Sequence, residues 1–446
     1  MSAYKNIVRR LKRIDDFYPV PIWIKFRVKS LLDATLLSNT IWLEQKIDDT
    51  YLDFEAANFE NDSSPLIVID VQCLRNKTFY RGIGRYTLSL VKAMAENSPA
   101  TNILLFASNI GEEGNTPKVD EFVKKLNLPN LKFSVLDFFK DQVQISHQDS
   151  EKILSEILLR RKPHAVIVPS HFEHPFDAVH ILPTDKLNIW VIIHDIIPWR
   201  FKEELLPSNK QRLFYSARIK ELSVVRGLLS VSTFTATDVA RELLDSTHIS
   251  VIGGAGYAPS FKTKPLSPNS KSGIFCVGAE TPHKNIPRLL KAYSLMSESI
   301  RKEHPLIIAG LHSESHQRRI FRECIELGIK VELPELLTDE EMHAFYAEAK
   351  VVVVPSLAEG LSMPVIESWT AGTVALGSRG TVLEEVIFEE RLLFDPYSPE
   401  NMAEIMTRLL TNDELYEELL AKSIQRLTIY NWAKVAENLH AILFKS

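Results

Sequence analysis

The sequence predicts an α/β protein with two doubly wound, Rossmann-like domains that face each other across a cleft. From residue 65 onward, short runs rich in β-branched residues alternate with longer amphipathic stretches. Strands that are apolar on both faces and are separated by helices are typical of a parallel sheet covered on both sides. The alternation pauses at residues 258–273, which are rich in Pro, Ser and Lys, and then resumes. Such a pause is typical of a linker between two domains.

The elements follow this alternation in order. The first domain, residues 64–258, has predicted strands at 66–70, 102–108, 131–137, 164–170, 188–195 and 227–232, with helices such as 85–96 and 151–161 between them. The second domain, residues 259–428, has predicted strands at 274–279, 306–310, 330–334, 351–356, 373–378 and 392–395. Residues 429–446 read as a final helix that returns to the first domain. Ligands of such sheets bind outside the carboxyl ends of the strands, so we expect the site there.

Composition limits the function classes. The chain has 446 residues, a net charge of -5, 45% hydrophobic and 24% charged residues, which is a globular balance. An acidic chain is not typical of a nucleic-acid binder. The three cysteines, Cys73, Cys276 and Cys324, form no CxxC pair and read as reduced, buried thiols of a cytoplasmic protein. We expect no signal peptide and no membrane span, because no apolar run is long enough.

The first 63 residues form an N-terminal extension with its own character. Residues 1–30 mix eight Lys and Arg with aromatic side chains, and residues 44–62 are an acidic linker. A basic and aromatic segment can lie on an anionic membrane surface. It can equally be a solvated arm or a helix packed on the body, and the sequence leaves both alternatives open.

The stretch at 355–369 places two carboxylates around the start of a helix. An apolar strand at 351–354 precedes Glu359 and Gly360, and Pro364 suits the first turn of a helix that carries Glu367. The free amides and partial positive charge of that helix start suit a phosphate or a sugar oxygen. A glycosidase pair needs carboxyl groups about 5–9.5 Å apart. Eight residues of continuous helix span about 12 Å. A turn before the helix would shorten this separation, so geometry leaves the glycosidase alternative open, as it does a structural capping role.

The sequence of residues 355–386 resembles the signature of glycosyltransferase family 4, a family of retaining, GT-B-fold enzymes that use nucleotide-sugar donors. The resemblance covers about thirty residues: Glu-Gly, a small residue, Pro, a second Glu, Ala-Gly and Glu-x-Val. It implies that Glu359 contacts hydroxyls of the donor sugar and that Glu367 binds the ribose. It also implies that backbone amides line the sugar and the diphosphate, namely those of Gly360, Leu361 and Ser362. The family often has glycine where Ser362 stands, so a side chain there would change which hexose fits.

Residues 277–293 resemble the phosphate-binding segment of the same family, whose lysine matches Lys284. A fixed ammonium would stabilise the negative charge that develops on a diphosphate leaving group. Many family members have an arginine where Ala279 stands, which leaves His283 or another residue to supply the second contact. Taken without the resemblance, Lys284 also reads as a solvated surface lysine.

Residues 81–94 resemble the Gly-Ile-Gly-Arg-Tyr loop of one branch of the family, in which Gly82 and Gly84 would let the backbone approach the donor phosphates or the acceptor. As a dinucleotide fingerprint the segment is poor. Thr87 occupies the third glycine position, and no acidic residue ends the next strand. An oxidoreductase is therefore disfavoured.

Residues 190–199 resemble the His-Asp-x-x-Pro element of that branch. His194 would face the cleft near the sugar as a hydrogen-bond donor, with Asp195 on the acceptor side; a buried histidine bonded to Asp195 is the structural alternative. The segment 169–180 resembles a Ser-x-Phe-Glu loop that would place Glu173 on the acceptor side. Its three histidines lack the spacing of a zinc site, and we expect no metal.

The sequence therefore predicts a hexosyltransferase without a cofactor. The resemblance implies transfer of mannose or a similar hexose, with retention, from a GDP-, UDP- or dTDP-sugar to a glycan or lipid-linked acceptor in bacterial surface polysaccharide synthesis. The catalytic candidates are His194, Lys284 and Glu359. Two alternatives remain: a GT-B phosphorylase, for which the sequence has no pyridoxal-phosphate signal, and a catalytically silent glycan-binding or scaffold subunit, favoured by the absent arginine at 279.

Overall fold

A computed structural model describes residues 63–109, 115–137, 147–173, 178–182, 184, 186–242, 248–257, 267, 270–278, 280–310, 313–335 and 337–445, together with 44, 47, 48 and 59. The predictions for residues 1–30 and for Ala279 lie outside these described residues. So does most of the predicted interdomain linker.

The first sheet is parallel throughout, in the order β3-β2-β1-β4-β5-β6-β7. Its strands are β1 Leu66–Asp70, β2 Asn102–Ser108, β3 Leu131–Leu136, β4 Ala165–Val168, β5 Ile189–Ile193, β6 Gly227–Ser230 and β7 Ile249–Val251. The six strands that the apolar runs predict are present, some with shorter ends. The prediction missed β7, a three-residue edge strand without a fully buried residue, because so short and mixed a segment has no readable periodicity.

The second sheet is also parallel, in the order β10-β9-β8-β11-β12-β13. Its strands are β8 Ile274–Val277, β9 Leu306–Ala309, β10 Val331–Glu332, β11 Val351–Val354, β12 Val374–Ser378 and β13 Leu393–Phe394. The strand order reverses between β8 and β11 in this sheet and between β1 and β4 in the first. These two switch points are where a doubly wound sheet opens a crevice for ligands.

Helices cover both sheets. In chain order they are α1 Gly82–Asn97, α2 Thr116–Leu126, α3 His147–Arg161, α4 Ile197–Arg200, α5 Lys202–Leu205, α6 Asn209–Glu221, α7 Thr233–Glu242, α8 Ile286–Leu295, α9 Glu298–Glu303, α10 Glu314–Leu327, α11 Asp339–Glu348, α12 Met363–Thr370, α13 Val382–Ile387, α14 Pro399–Leu410, α15 Asp413–Arg426 and α16 Trp432–Leu443. No helix among the described residues is both long enough and apolar enough to cross a bilayer.

The last helix, α16, returns from the second sheet and packs against α1 of the first domain. Trp432 anchors it: the indole nitrogen donates to the carbonyl of Gly256 at 2.9 Å, and the ring meets Tyr86 edge to face at 4.9 Å. Tyr86 in turn donates to the carbonyl of Gly253 at 2.6 Å. The return of the chain therefore fixes the segment that leads from β7 toward the second domain.

Candidate active site

The centre of the site is an ion pair at the switch point of the second sheet. Lys284 follows β8 and Glu359 follows β11, and their Nζ and Oε1 atoms lie 2.6 Å apart. Lys284 ends a short 3-10 turn, and Asn285 stops that turn with a φ of 58°. The side-chain amide of Asn285 donates through Nδ2 to the carbonyl of Pro355 at 2.9 Å. The loop after β8 is thus hydrogen-bonded to the loop after β11, which holds the ammonium against the carboxylate.

The environment keeps Glu359 ionised. Burial raises its pKa, but the charge of Lys284 and the hydrogen bonds from Lys284 and Ser356 outweigh burial, and the pKa lies below its usual range. The Ser356 hydroxyl donates to Oε1 at 2.7 Å. The structure therefore brings together two of the three catalytic candidates as a pair of opposite charges.

His283 lies next to this pair and carries no charge at neutral pH. Burial and then the nearby Lys284 charge lower its pKa to about 4. A neutral imidazole binds a phosphate oxygen through a ring N–H and not through a positive charge. The expectation that His283 contributes to donor binding stays a prediction, and its contribution would be a hydrogen bond.

The first domain touches this site at Gly360. A Cβ atom built on Gly360 would lie 1.8 Å from the carbonyl oxygen of His194. Any larger residue would therefore force the two domains apart. The carbonyl of Gly360 also accepts hydrogen bonds across the cleft from the hydroxyls of Ser232 at 2.7 Å and Thr235 at 3.0 Å.

His194 ends β5 and is hydrogen-bonded to the carbonyl of Pro169, with Nε2 and the oxygen 3.0 Å apart. A carbonyl can only accept, so Nε2 carries the proton and Nδ1 is left as an acceptor. Burial lowers the pKa of His194 to about 4. The structural alternative, a bond to Asp195, is wrong. The expectation that His194 donates to a sugar needs revision, because its free nitrogen would accept a hydrogen bond from a sugar hydroxyl.

Asp195 faces the same centre. Its Oδ1 accepts from the amide of Ile197 at 2.8 Å. Burial raises the pKa of Asp195, and the Glu359 carboxylate adds to the rise, whereas the Lys284 ammonium opposes it. A Cβ built on Gly360 would lie 3.3 Å from the Cβ of Asp195, which places Asp195 next to the Glu359 loop on the side of the first domain.

Glu173, predicted on the acceptor side, lies at the switch point of the first sheet. Its carboxylate accepts from the side chains of Asn76 at 2.9 Å and Ser170 at 2.9 Å. These contacts join the end of β4 to the 3-10 turn Lys77–Tyr80 that precedes α1. Within the described residues Glu173 thus has a positioning role, and contact with an acceptor stays a prediction.

The helix start predicted at Pro364 is present one residue earlier, at Met363. Ser362 precedes it with a φ of 69°, and its side chain makes no capping hydrogen bond. Its buried hydroxyl has no hydrogen-bond partner in the part of the chain that the structure describes, and the same is true of Thr281 Oγ1 and His283 Nδ1. Buried polar atoms without partners are rare, so three around one site indicate a place for a polar ligand.

Glu367 is buried about one turn into α12. Its Oε2 accepts from the hydroxyl of Tyr346 at 2.8 Å, and its Oε1 accepts from the amide of Tyr257 at 3.2 Å. Burial raises its pKa. The two glutamates therefore have separate environments, and only Glu359 belongs to the ion pair. The ribose contact implied for Glu367 stays a prediction.

The two glycines at the start of α1 have different surroundings. A Cβ on Gly84 would lie 2.2 Å from the carbonyl of Thr78, whereas one on Gly82 would meet nothing within 4 Å. The absence of a side chain at Gly84 is explained by packing on its own preceding turn, and Gly82 is the one that leaves open space. Both lie in the helix and not in a free loop.

Sequence reasoning missed two contacts between the domains. Arg85 of α1 pairs with Asp339 of α11, and Glu385 of α13 accepts from the amides of Thr233 at 3.0 Å and Phe234 at 2.7 Å at the start of α7. Arg85 lies within the Gly-Ile-Gly-Arg-Tyr segment, so the motif could have marked it as a candidate functional residue. No feature of the sequence indicated that Glu385 contacts the other domain.

The described residues contain no group of three or more His, Cys, Asp or Glu side chains arranged to hold a metal ion. His171 of the 169–180 segment is bonded to the carbonyl of Arg218 at 2.9 Å, and His180 to the carbonyl of Glu173 at 2.9 Å. Both side chains are thus engaged in joining elements of the first domain.

Two parallel-sheet domains that meet at a cleft define the GT-B fold, and solved structures agree. WaaG, a glycosyltransferase involved in lipopolysaccharide biosynthesis, aligns with a TM-score of 0.61 at 13% identity, over 85% of this chain and 100% of that chain. Anabaena Alr3699/HepE in complex with UDP and glucose aligns with a TM-score of 0.60 at 12% identity, over 85% of this chain and 99% of that chain. At these identities the likeness establishes the fold.

The second domain also matches a family by sequence. Residues 259–426 match the family model described as glycosyl transferases group 1. The serotype-specific mannosyltransferase WbdA of Escherichia coli is 26% identical over 83% of this chain and 47% of its own length. The O-antigen chain mannosyltransferase B of Escherichia coli is 23% identical over 79% of this chain and 92% of its own length. The chain spans about half the length of WbdA or less in the alignments found.

Proposed function

We propose that this chain is a hexosyltransferase that moves mannose or a similar hexose from a nucleotide diphosphate sugar to a glycan or lipid-linked acceptor in bacterial surface polysaccharide synthesis. The observation that carries the proposal is the partly buried Lys284–Glu359 pair. It lies at the switch point of the second sheet and beside His194 and Asp195 of the first domain. The mannosyltransferase relatives support the choice of hexose.

The roles follow from charge and position. Lys284 would bind the diphosphate and stabilise the charge that develops as it leaves, because a preorganised ammonium in a water-poor cleft is worth far more than one in water. Glu359 would then accept hydrogen bonds from sugar hydroxyls. The amides of Gly360 and Leu361, before α12, would line the sugar and the phosphates.

Transfer would retain the anomeric configuration by a front-face route. The carboxylate beside the Lys284–Glu359 pair, Asp195, already accepts a hydrogen bond from the amide of Ile197, and burial raises its pKa. We therefore assign it no role as the nucleophile of a double displacement. In the front-face route the acceptor oxygen bonds to the anomeric carbon as the bond to the diphosphate breaks. The leaving phosphate takes the acceptor proton. An NMR spectrum that shows an inverted product anomer would reject this route.

Donor binding is the first test. A ligand that binds only the native state raises the melting temperature, so the wild type is screened by thermal shift with GDP-mannose and with UDP-, dTDP- and ADP-glucose. One donor should raise the melting temperature by several degrees, and Lys284→Met should lose most of that shift. A flat response to all donors would reject the nucleotide-sugar proposal, and donor binding without any transfer would favour a silent glycan-binding subunit.

We propose further that the enzyme works as a peripheral protein at the cytoplasmic face of the membrane, through its basic and aromatic residues 1–30. Anionic vesicles should float the full-length protein, and deletion of residues 1–30 should abolish flotation. Equal flotation of both proteins would end this part of the proposal.

A further inference from the structure

Ser362 combines two unfavourable features at one residue. Its φ of 69° lies in the left-handed region, which glycine adopts without strain and a residue with a Cβ adopts only at a cost. Its hydroxyl is buried, with the residue 4% exposed, and has no hydrogen-bond partner among the described residues. An unsatisfied buried hydroxyl is itself destabilising. Glycine at this position would remove both costs.

The ordinary structural role of a serine here does not explain it. Serine before a helix usually accepts a hydrogen bond from an amide of the first turn. Ser362 precedes α12 but makes no such bond. The amide of Val365 donates instead to the carbonyl of Ser362 at 3.2 Å, and Pro364 has no amide hydrogen, so the hydroxyl keeps its donor and acceptor capacity.

The position of Ser362 is tied to the site. Two residues before it, the carbonyl of Gly360 accepts hydrogen bonds across the cleft from the hydroxyls of Ser232 and Thr235. Three residues before it, the carboxylate of Glu359 accepts a hydrogen bond from the ammonium of Lys284. Strained residues persist where the surrounding structure determines them, and they cluster at ligand sites. Among six buried side-chain polar atoms without a partner in the described chain, three lie in these two loops, at Thr281, His283 and Ser362.

We propose that the Ser362 hydroxyl hydrogen-bonds a hydroxyl of the donor hexose and so determines which sugar the enzyme accepts. This inference rests on the proposed function, and it names a side-chain contact in addition to the backbone contacts of that site. A site that is built to bond a sugar hydroxyl rejects an analogue that lacks it, because its own polar group is then left unpaired. Ser362 therefore lowers the stability of the ligand-free protein and in return lets the site discriminate between donor sugars.

Three variants separate the hydroxyl from the backbone. Ser362→Ala removes the hydroxyl and keeps the strained φ, and Ser362→Gly removes both. Ser368→Ala is the matched control: Ser368 is a buried serine within α12, the helix that Ser362 precedes, and its hydroxyl donates to the carbonyl of Val365 at 2.7 Å. Each variant is measured for melting temperature and for kcat/KM with the donor that the wild type uses and with its monodeoxy and deoxyfluoro analogues.

The expected result has two parts. Ser362→Gly melts above the wild type, whereas Ser368→Ala melts below it. Both Ser362 variants lose about tenfold in kcat/KM with the natural donor, the size of one hydrogen bond. They lose the discrimination against the analogue that lacks the contacted hydroxyl, and their affinity for the free nucleoside diphosphate stays unchanged.

The outcomes separate this inference from the proposed function. If the wild type binds and transfers the hexose and Ser362→Ala keeps wild-type kinetics with every analogue, the Ser362 contact is rejected and the proposed function stands. If no nucleotide sugar stabilises the wild type, the proposed function fails before any variant is compared. Loss of kcat/KM in Ser368→Ala to the same extent would show that packing of α12 causes the effect, which also rejects the contact.

Discussion

At the scale of single residues, Lys284 and Glu359 depend on each other for stability as well as for the catalytic roles proposed for them. Two charges that leave water together gain from mutual attraction, but removing one partner leaves an uncompensated buried charge. Their side chains are 21% and 10% exposed, so water compensates only partly for a lost partner. Loss of activity in a single variant is therefore ambiguous, because it can reflect chemistry or folding.

A double-mutant cycle resolves this ambiguity. Lys284→Met and Glu359→Gln should each lower the free energy of unfolding, by on the order of 3 kcal/mol for the lysine variant, which leaves the carboxylate alone. The double variant should recover much of that loss because no charge remains buried. All three should lose at least about a hundredfold in kcat, since each lacks the ammonium proposed to stabilise the leaving group, or its carboxylate partner, or both.

Urea unfolding and initial rates measure the two quantities on the same protein. A double variant that regains both stability and activity would mean that the pair is structural. Equal and additive stability losses from the two single changes would mean that Lys284 and Glu359 do not interact in solution.

His194 makes a prediction about pH. Burial lowers its pKa from 6.5 to about 4 in the folded state. The unfolded state therefore binds one more proton than the folded state between pH 4 and 6.5, so His194 lowers stability as the pH falls through that window and has no effect above it. His194→Gln keeps a donor for the Pro169 carbonyl and cannot titrate. Its melting temperature should fall less steeply than that of the wild type from pH 6.5 to 4, and parallel curves would contradict this.

At the scale of elements, α7 of the first domain is capped by a carboxylate of the second. Glu385 accepts from the first two amides of Thr233–Glu242, where the helix dipole also favours a negative charge. A cap of this kind is worth about 1 kcal/mol. Domain contact and helix stability are thus joined in one interaction, because the cap is lost whenever the domains separate.

Hydrogen exchange can measure this cap. Glu385→Ala should speed amide exchange at Thr233 and Phe234 about fivefold, the factor that corresponds to about 1 kcal/mol. Glu384→Ala is the control, because Glu384 accepts from the amide of Gly380 within its own domain at 2.7 Å. Exchange at the two α7 amides that is equal in both variants would show that the domains are apart in solution most of the time.

The elements also show what a sequence can and cannot predict. Apolar runs such as Val351–Val354 identify buried strands, because a strand that is covered on both faces needs apolar side chains on both. The same runs place Lys284 and Glu359 at neighbouring strand ends. The structural alternative for His194, a bond to Asp195, was wrong, because its partner Pro169 follows a different strand and the contact depends on the register between strands. The Glu385 cap and the Arg85–Asp339 pair depend on how one domain faces the other, and no local pattern encodes that orientation.

At the scale of the whole molecule, Gly360 of the second domain packs closely against the carbonyl of His194 in the first. The predicted donor site lies almost wholly in the second domain, whereas the predicted acceptor side lies in the first. Under the proposed function, binding of the donor and transfer of the hexose would therefore depend on different parts of the molecule. A change that prevents close approach of the domains should separate the two steps.

Gly360→Ala is that change. Its Cβ would lie 1.8 Å from the His194 carbonyl oxygen and 2.9 Å from the carbonyl carbon, distances that the backbone on both sides cannot relieve without separation of the domains. The Lys284–Glu359 pair is left in place, so the affinity for a nucleotide-sugar donor, measured by calorimetry, should change by less than about threefold. Turnover should fall at least about a hundredfold, because a misplacement of about 1 Å between donor and acceptor has a penalty of that size. Small-angle scattering should also show a larger radius of gyration.

Two outcomes would contradict this prediction. Wild-type turnover with an unchanged radius of gyration would mean that catalysis does not require the domain contact seen here. Loss of donor binding in parallel with turnover would mean that the donor site itself spans both domains.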